Sequence, residues 1–178
     1  MAVQDAVAIK WQEVTGSPLL EAYGLSETSP AATINPTDGS HRMGSIGLPI
    51  PNTEIRIFDE DKKEVASGER GEIGIKGPQV MAGYWNRPDG TKEVMHGDYF
   101  LTGDIGIMDE DGFFKIVDRK KEMVCVSGFN VYPSEVEAVI SSHPKVLEVG
   151  VRSEPHPKTT ECVMAFIVKK DDSLTEDE

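Results

Sequence analysis

The sequence predicts an α/β plus β chain: a short α/β segment, then a β-rich unit, then a small α+β unit. Three observations carry that expectation. Val3, Val7, Trp11 and Val14 recur every three or four residues, which lines one face of a helix over about residues 2–14. Two stretches, Glu54 to Phe58 and Gly71 to Lys76, alternate apolar with polar or small residues, the period of strands with one buried face. After Asp118 the punctuation changes to strand, turn and helix signals packed into few residues.

Taken in order, Gly16 and Pro18 end the first helix. Leu19 to Ala22 reads as a short buried strand that delivers Tyr23 to Glu27 at its C-terminal end, where open α/β sheets bind ligands. Asn35 to Asn52, rich in Gly, Pro, Ser and Asn, reads as a long connection. The first hairpin turns over Asp59 to Lys63, and a second pairs Ile105 to Met108 with Phe113 to Val117 around Asp109-Glu110-Asp111-Gly112. Beyond it, Met123 to Val126 is a strand and Ser127 to Asn130 a turn. Ser134 and Glu137 have capping-box spacing for a helix that runs to Pro144. Val136, Val139 and Ile140 form its apolar face, for strands at Val146 to Val151 and Cys162 to Val168 to cover. Ser173 to Glu176 repeats the capping spacing.

Composition narrows the function. The 178 residues are 38% hydrophobic and 28% charged, which suits a folded globular chain. A formal net charge of -13 argues against a basic nucleic-acid surface, so no nucleic-acid partner is expected and any phosphate must be held locally. The longest clean apolar run, Val163 to Val168, is far below the roughly 20 residues that a helix needs to span a bilayer. Cys125 and Cys162 lack metal-ligand spacing and are too few for a disulfide framework, so a cytoplasmic location is expected. His41, His96, His143 and His156 lie in polar loops and are given no role.

The run Tyr23-Gly24-Leu25-Ser26-Glu27, then Thr102-Gly103-Asp104, then Asp118-Arg119-Lys120-Lys121, is the most informative pattern. These clusters resemble the nucleotide-handling motifs of the AMP-forming acyl-CoA ligases of the adenylate-forming superfamily, in family order. Gly71-Glu72-Ile73, Gly83-Tyr84-Trp85 and Asn86-Arg87-Pro88 resemble that superfamily's barrel motif. Asp98 to Asp104 with Ile116 to Lys121 is similar to the signature of fatty acyl-CoA ligases, and Ser127 to Pro133 resembles the start of their small domain.

The resemblance implies the end of an adenylate-forming large domain, a sheet fragment and a distorted β-barrel, followed by a truncated α+β small domain. Its boundaries would be 1–40, 41–118, a hinge at 119–121, and 122–178. The implied activity joins a fatty acid to CoA through an acyl-adenylate made from ATP, with magnesium on the phosphates. Fatty acid, ATP and CoA are the implied partners, with peripheral association at the inner face of a membrane for the full-length enzyme. The N-terminal part of the large domain and the remainder of the small domain would complete it. A ligase for an aryl or medium-chain acid, and a non-catalytic β-rich interaction module, stay open beside this.

Residue by residue, the Tyr23 position in the family stacks on adenine beside Gly24, Ser26 donates to the α-phosphate, and Glu27 holds magnesium. Asp104 and Arg119 take the ribose, Lys121 is the hinge, and Gly128 admits the pantetheine arm. Each has a plainer alternative: a half-buried strand tyrosine, solvated loop residues, a turn aspartate, a surface ion pair, a turn glycine. Two family elements have no counterpart here: the Gly-Lys loop around the outer phosphates, and the lysine of the small domain that reaches the carboxylate. Without them the 178 residues alone are expected to release no pyrophosphate from ATP and palmitate. Tyr99-Phe100 also replaces the usual Trp-led pair.

Overall fold

A computed structural model describes residues 3, 5–171 and 173–175. The chain divides into two units, one ending at Ile116 and one starting at Val117.

In the first unit, helix α1 (Asp5–Thr15) stops where Gly16 takes a left-handed φ of 69° and its N–H closes on the Gln12 carbonyl. Three of the four stripe residues are open, Val7, Trp11 and Val14 being 53%, 49% and 73% exposed, while Val3 is half-buried. A three-stranded antiparallel sheet follows, β1 (Ala22–Gly24), β2 (Ala31–Ile34) and β3 (Leu48–Pro49) in that order.

This corrects two expectations. The first strand starts at Ala22 rather than Leu19, so Tyr23 lies inside it, and the neighbouring strands are antiparallel rather than those of an open α/β sheet. The long connection also contains β3 and is internally bonded. Buried Glu21 links the two regions: its carboxylate accepts the N–H groups of Val3 and Gly44, each at 3.1 Å, which ties the chain before β1 to the connection. Buried Asn35 adds a third tie, its amide nitrogen donating to the carbonyls of Glu21 and Ser45 while its oxygen accepts from Arg42 N–H.

The larger sheet contains β4 (Glu54–Phe58), β5 (Arg70–Lys76), β6 (Met95–His96), β7 (Tyr99–Met108) and β8 (Phe114–Arg119). Its order is β4-β5-β7-β6, with β8 also on β7. The predicted first hairpin is present, and its register sets Ile55 opposite Ile75 and Ile57 opposite Ile73. Period-2 alternation sends these four isoleucines to one core with Ala32, Ile46 and Phe114. Strand β7 starts at Tyr99 rather than at Ile105, so Asp104 is a strand residue. Helix α2 (Pro88–Val94) opens with proline at its first position and sits before β6.

The second unit pairs β9 (Val124–Val126) with β10 (Phe129–Val131), and β11 (Val146–His156) with β12 (Thr160–Lys169), in a sheet of order β10-β9-β12-β11. The predicted turn is therefore shorter, Ser127-Gly128, and both long strands extend past their predicted ends. Helix α3 (Pro133–Ser141) lies against β11.

The expected capping box is absent. Tyr132 is the N-cap, and no side chain bonds to the helix start from there. Buried Asp118 does that work instead, its two oxygens accepting Ser134 N–H at 2.9 Å and Arg119 N–H at 2.7 Å. Glu137 turns away to accept Val151 N–H at 2.7 Å. Val139, expected on the apolar face, is 73% exposed. The Ser173 to Glu176 repeat lies partly outside the described residues.

Candidate active site

Tyr23 and Asp104, 81 residues apart, meet in the first unit: the tyrosine hydroxyl donates to Oδ2 of Asp104 at 2.6 Å. Such a short O–H···O⁻ contact is charge-assisted. The Tyr23 ring packs half-buried at the edge of the isoleucine core, and Asp104 is 6% exposed.

A bulge brings Asp104 there. Across β5 and β7, Glu72 faces Ile105 and Gly74 faces Leu101, so Thr102, Gly103 and Asp104 stand opposite Ile73 alone. Extra residues in one strand leave ladder groups unpaired and re-aim side chains. Here side chains satisfy them: Gly103 N–H donates to Glu72 Oε1 at 3.0 Å, and Asp104 N–H donates to Thr102 Oγ1 at 3.1 Å. Thr102 in turn donates to the Ile73 carbonyl at 3.0 Å. Gly103 has φ of 75°, the left-handed region that favours glycine. The Thr-Gly-Asp order is thus the chemistry of one bulge.

Ser26 and Glu27 lie on a 3₁₀ turn (Ser26–Thr28) directly after β1. Buried Thr28 holds it, its hydroxyl accepting Leu25 N–H at 2.9 Å and lying 2.7 Å from the Pro30 carbonyl. Gly24 is required because a Cβ there would sit 1.6 Å from the Pro30 oxygen. Ser26 is exposed and Glu27 half-buried. Glu27 is held twice from the segment after β5: Met81 N–H donates to its carbonyl, and the Tyr84 hydroxyl donates to its Oε1, both at 2.8 Å. Burial first, then the Glu27 hydrogen bond and charge, raise the Tyr84 hydroxyl's pKa. Tyr84 was legible only as part of a motif without a role.

Magnesium keeps most of its waters and takes one or two carboxylates plus phosphate oxygens. The donor set fits that habit. Among the described residues no group of three or more His, Cys, Asp or Glu could hold a metal ion, whereas Glu27 presents one carboxylate on a turn with a serine hydroxyl beside it.

Arg119, Lys121 and Gly128 lie in the second unit. Arg119 ends β8, exposed Lys121 follows in a turn closed by Glu122 N–H on the Arg119 carbonyl at 2.9 Å, and Gly128, with φ of 86°, turns β9 into β10.

The AMP-binding enzyme family model matches residues 1–85, and the AMP-binding enzyme C-terminal domain model matches residues 135–178. The chain belongs to the AMP-binding enzyme family. Relatives within it include proteins named long-chain-fatty-acid–CoA ligase. One from Yersinia pestis is 54% identical over 100% of this chain, and one from Bacillus subtilis is 45% identical over 95% of it. These alignments cover 32% and 30% of the relatives, so the chain spans about a third of their length.

Among solved structures, ATP-bound MatB from Rhodopseudomonas palustris is 40% identical with a TM-score of 0.89, over 96% of this chain and 34% of that one. Bacillus subtilis o-succinylbenzoate CoA synthetase with its acyl-adenylate intermediate is 33% identical with a TM-score of 0.83, over 93% of this chain and 34% of that one. The sheets and half-barrel are thus those of an adenylate-forming enzyme. Among the described residues no helix is long and apolar enough to cross a membrane.

Proposed function

We propose that this chain is the nucleotide-handling section of an ATP-dependent fatty acid–CoA ligase. The observation that carries this reading is the Tyr23–Asp104 hydrogen bond, because it joins an aromatic face and a two-oxygen acceptor from separate motifs at one place. An adenosine needs both: stacking on the base, worth ~1–3 kcal/mol, and acceptors for the ribose hydroxyls. In this reading Tyr23 and Gly24 border the adenine, Asp104 takes the ribose, and the Ser26 hydroxyl donates to the α-phosphate. Glu27 would hold magnesium, which screens the phosphate charge when bound. The substrate carboxylate attacks the α-phosphate to form an acyl-adenylate with loss of pyrophosphate, and the CoA thiol then displaces AMP to form the thioester. The chain's contribution to the first step is position and hydrogen bonds at the phosphate.

The first unit is then the end of a large domain and the second the start of a small one. By resemblance to the family, Arg119 matches its ribose arginine, Lys121 its hinge residue and Gly128 its pantetheine-side glycine. Fatty acid as the carboxylate rests on the names of the relatives at 54% and 45% identity.

Calorimetry with AMP tests the reading. Asp104→Ala is expected to weaken AMP binding by ~10–100-fold, since hydrogen bonds to a charged group contribute ~1.5–3 kcal/mol. Equal affinity of wild type and variant, with both folded by circular dichroism, would remove the adenosine site.

A further inference from the structure

We propose that Tyr84 is a positioning residue that presents Glu27 to a phosphate-bound divalent cation; the inference rests on the nucleotide site read above. Tyr84 touches neither nucleotide nor cation in this arrangement and acts through the carboxylate.

A carboxylate on a short turn has several rotamers, and a cation that keeps its waters supplies little force to choose among them. The Tyr84 hydroxyl at 2.8 Å from Oε1 makes that choice and leaves Oε2 for the cation. Outer hydrogen bonds of this kind orient ligating carboxylates.

Tyr84 is itself fixed, although the residue is 38% exposed. Its N–H donates to Thr91 Oγ1 at 2.9 Å, and that hydroxyl lies 3.1 Å from the Arg87 carbonyl at the start of α2. Gly83, with φ of 152°, precedes it, where a Cβ would press on the Thr91 side chain at 3.0 Å. The Met81 N–H on the Glu27 carbonyl is a second link between the same two segments. One loop therefore grips Glu27 by backbone and by side chain, and only the side-chain grip reaches the carboxylate. The backbone link survives removal of the hydroxyl, so Tyr84→Phe separates orientation from loop placement.

The test titrates ATP into the full chain with magnesium chloride and, separately, with EDTA, for wild type, Tyr84→Phe, Glu27→Gln and Asp104→Ala. For wild type, magnesium is expected to tighten ATP binding. Tyr84→Phe should lose roughly tenfold of that gain, the usual scale for an outer hydrogen bond to a metal ligand, with its EDTA affinity unchanged. Manganese in place of magnesium gives a second readout, water-proton relaxation enhancement by the bound ion, which should fall in parallel. A Tyr84→Phe chain with the full magnesium gain overturns the positioning role, and if Asp104→Ala still weakens ATP the nucleotide site stands. Absence of ATP binding by wild type, or a Glu27→Gln chain with the wild-type magnesium gain, overturns both.

Discussion

Tyr99 shows how one side chain carries a pH dependence. Its ring meets Phe58 edge-on at 5.4 Å and has the Arg56 guanidinium 5.3 Å from its centre. Burial, then the hydrogen bond to Glu54, push its hydroxyl up to about 12 from an ordinary 10.0. Because the folded state binds that proton more tightly than the unfolded chain, the associated stability is complete below about pH 10. It is lost as pH rises through about 12. The thermal midpoint should therefore fall across that window, and Tyr99→Phe should flatten the fall; an identical slope in the variant would show that the hydroxyl is not the titrating group. Tyr23 at the same scale combines packing with a polar contact, half-buried against the isoleucines with its hydroxyl on Asp104.

Helix α3 illustrates how an element's start can be decided from outside its own sequence. Ser134 and Glu137 have the right spacing to cap each other, yet Asp118 takes the Ser134 N–H and Glu137 takes the Val151 N–H. The acceptor a capping box would give the Ser134 N–H is the Glu137 carboxylate, and with that carboxylate engaged by Val151 the buried Asp118 carboxylate takes its place. Asp118→Ala should cost about 1–3 kcal/mol in urea unfolding by orphaning those amides, while Ser134→Ala should stay within about 0.5 kcal/mol. The reverse ranking would restore the local capping box. The bulge of β7 follows the same logic: Glu72 and Thr102 satisfy amides that the ladder abandons, and Asp104 is re-aimed as a result.

Over the whole molecule, apolar surface is unevenly covered. In the second unit Met164, Phe166 and Val168 fall on one face of β12 by alternation and are 42%, 52% and 48% exposed, with Arg152 5.0 Å over the Phe166 ring. Contiguous patches of this kind promote association. Sedimentation of the chain should show concentration-dependent self-association, and Phe166→Glu, which sets a carboxylate near Arg152, should move its onset to higher concentration. Unchanged association would acquit this face.

Local order was legible from the residues alone wherever one period dominates. The β4 and β5 strands were legible from their alternation, and their register follows because a one-residue slip would expose the isoleucines of the slipped strand. The Asp109 to Gly112 turn was legible from its Asp and Gly residues, the helix after Ser134 was legible in its existence but not in its cap or in the exposed Val139, and the ordered motifs pointed to the AMP-binding enzymes. What the tertiary structure decided is which distant groups share a carboxylate: Tyr23 with Asp104, Tyr84 with Glu27, and Asp118 with the start of α3. No local period encodes those pairings. They arise when strand register, a bulge and buried polar groups that must find partners are satisfied together.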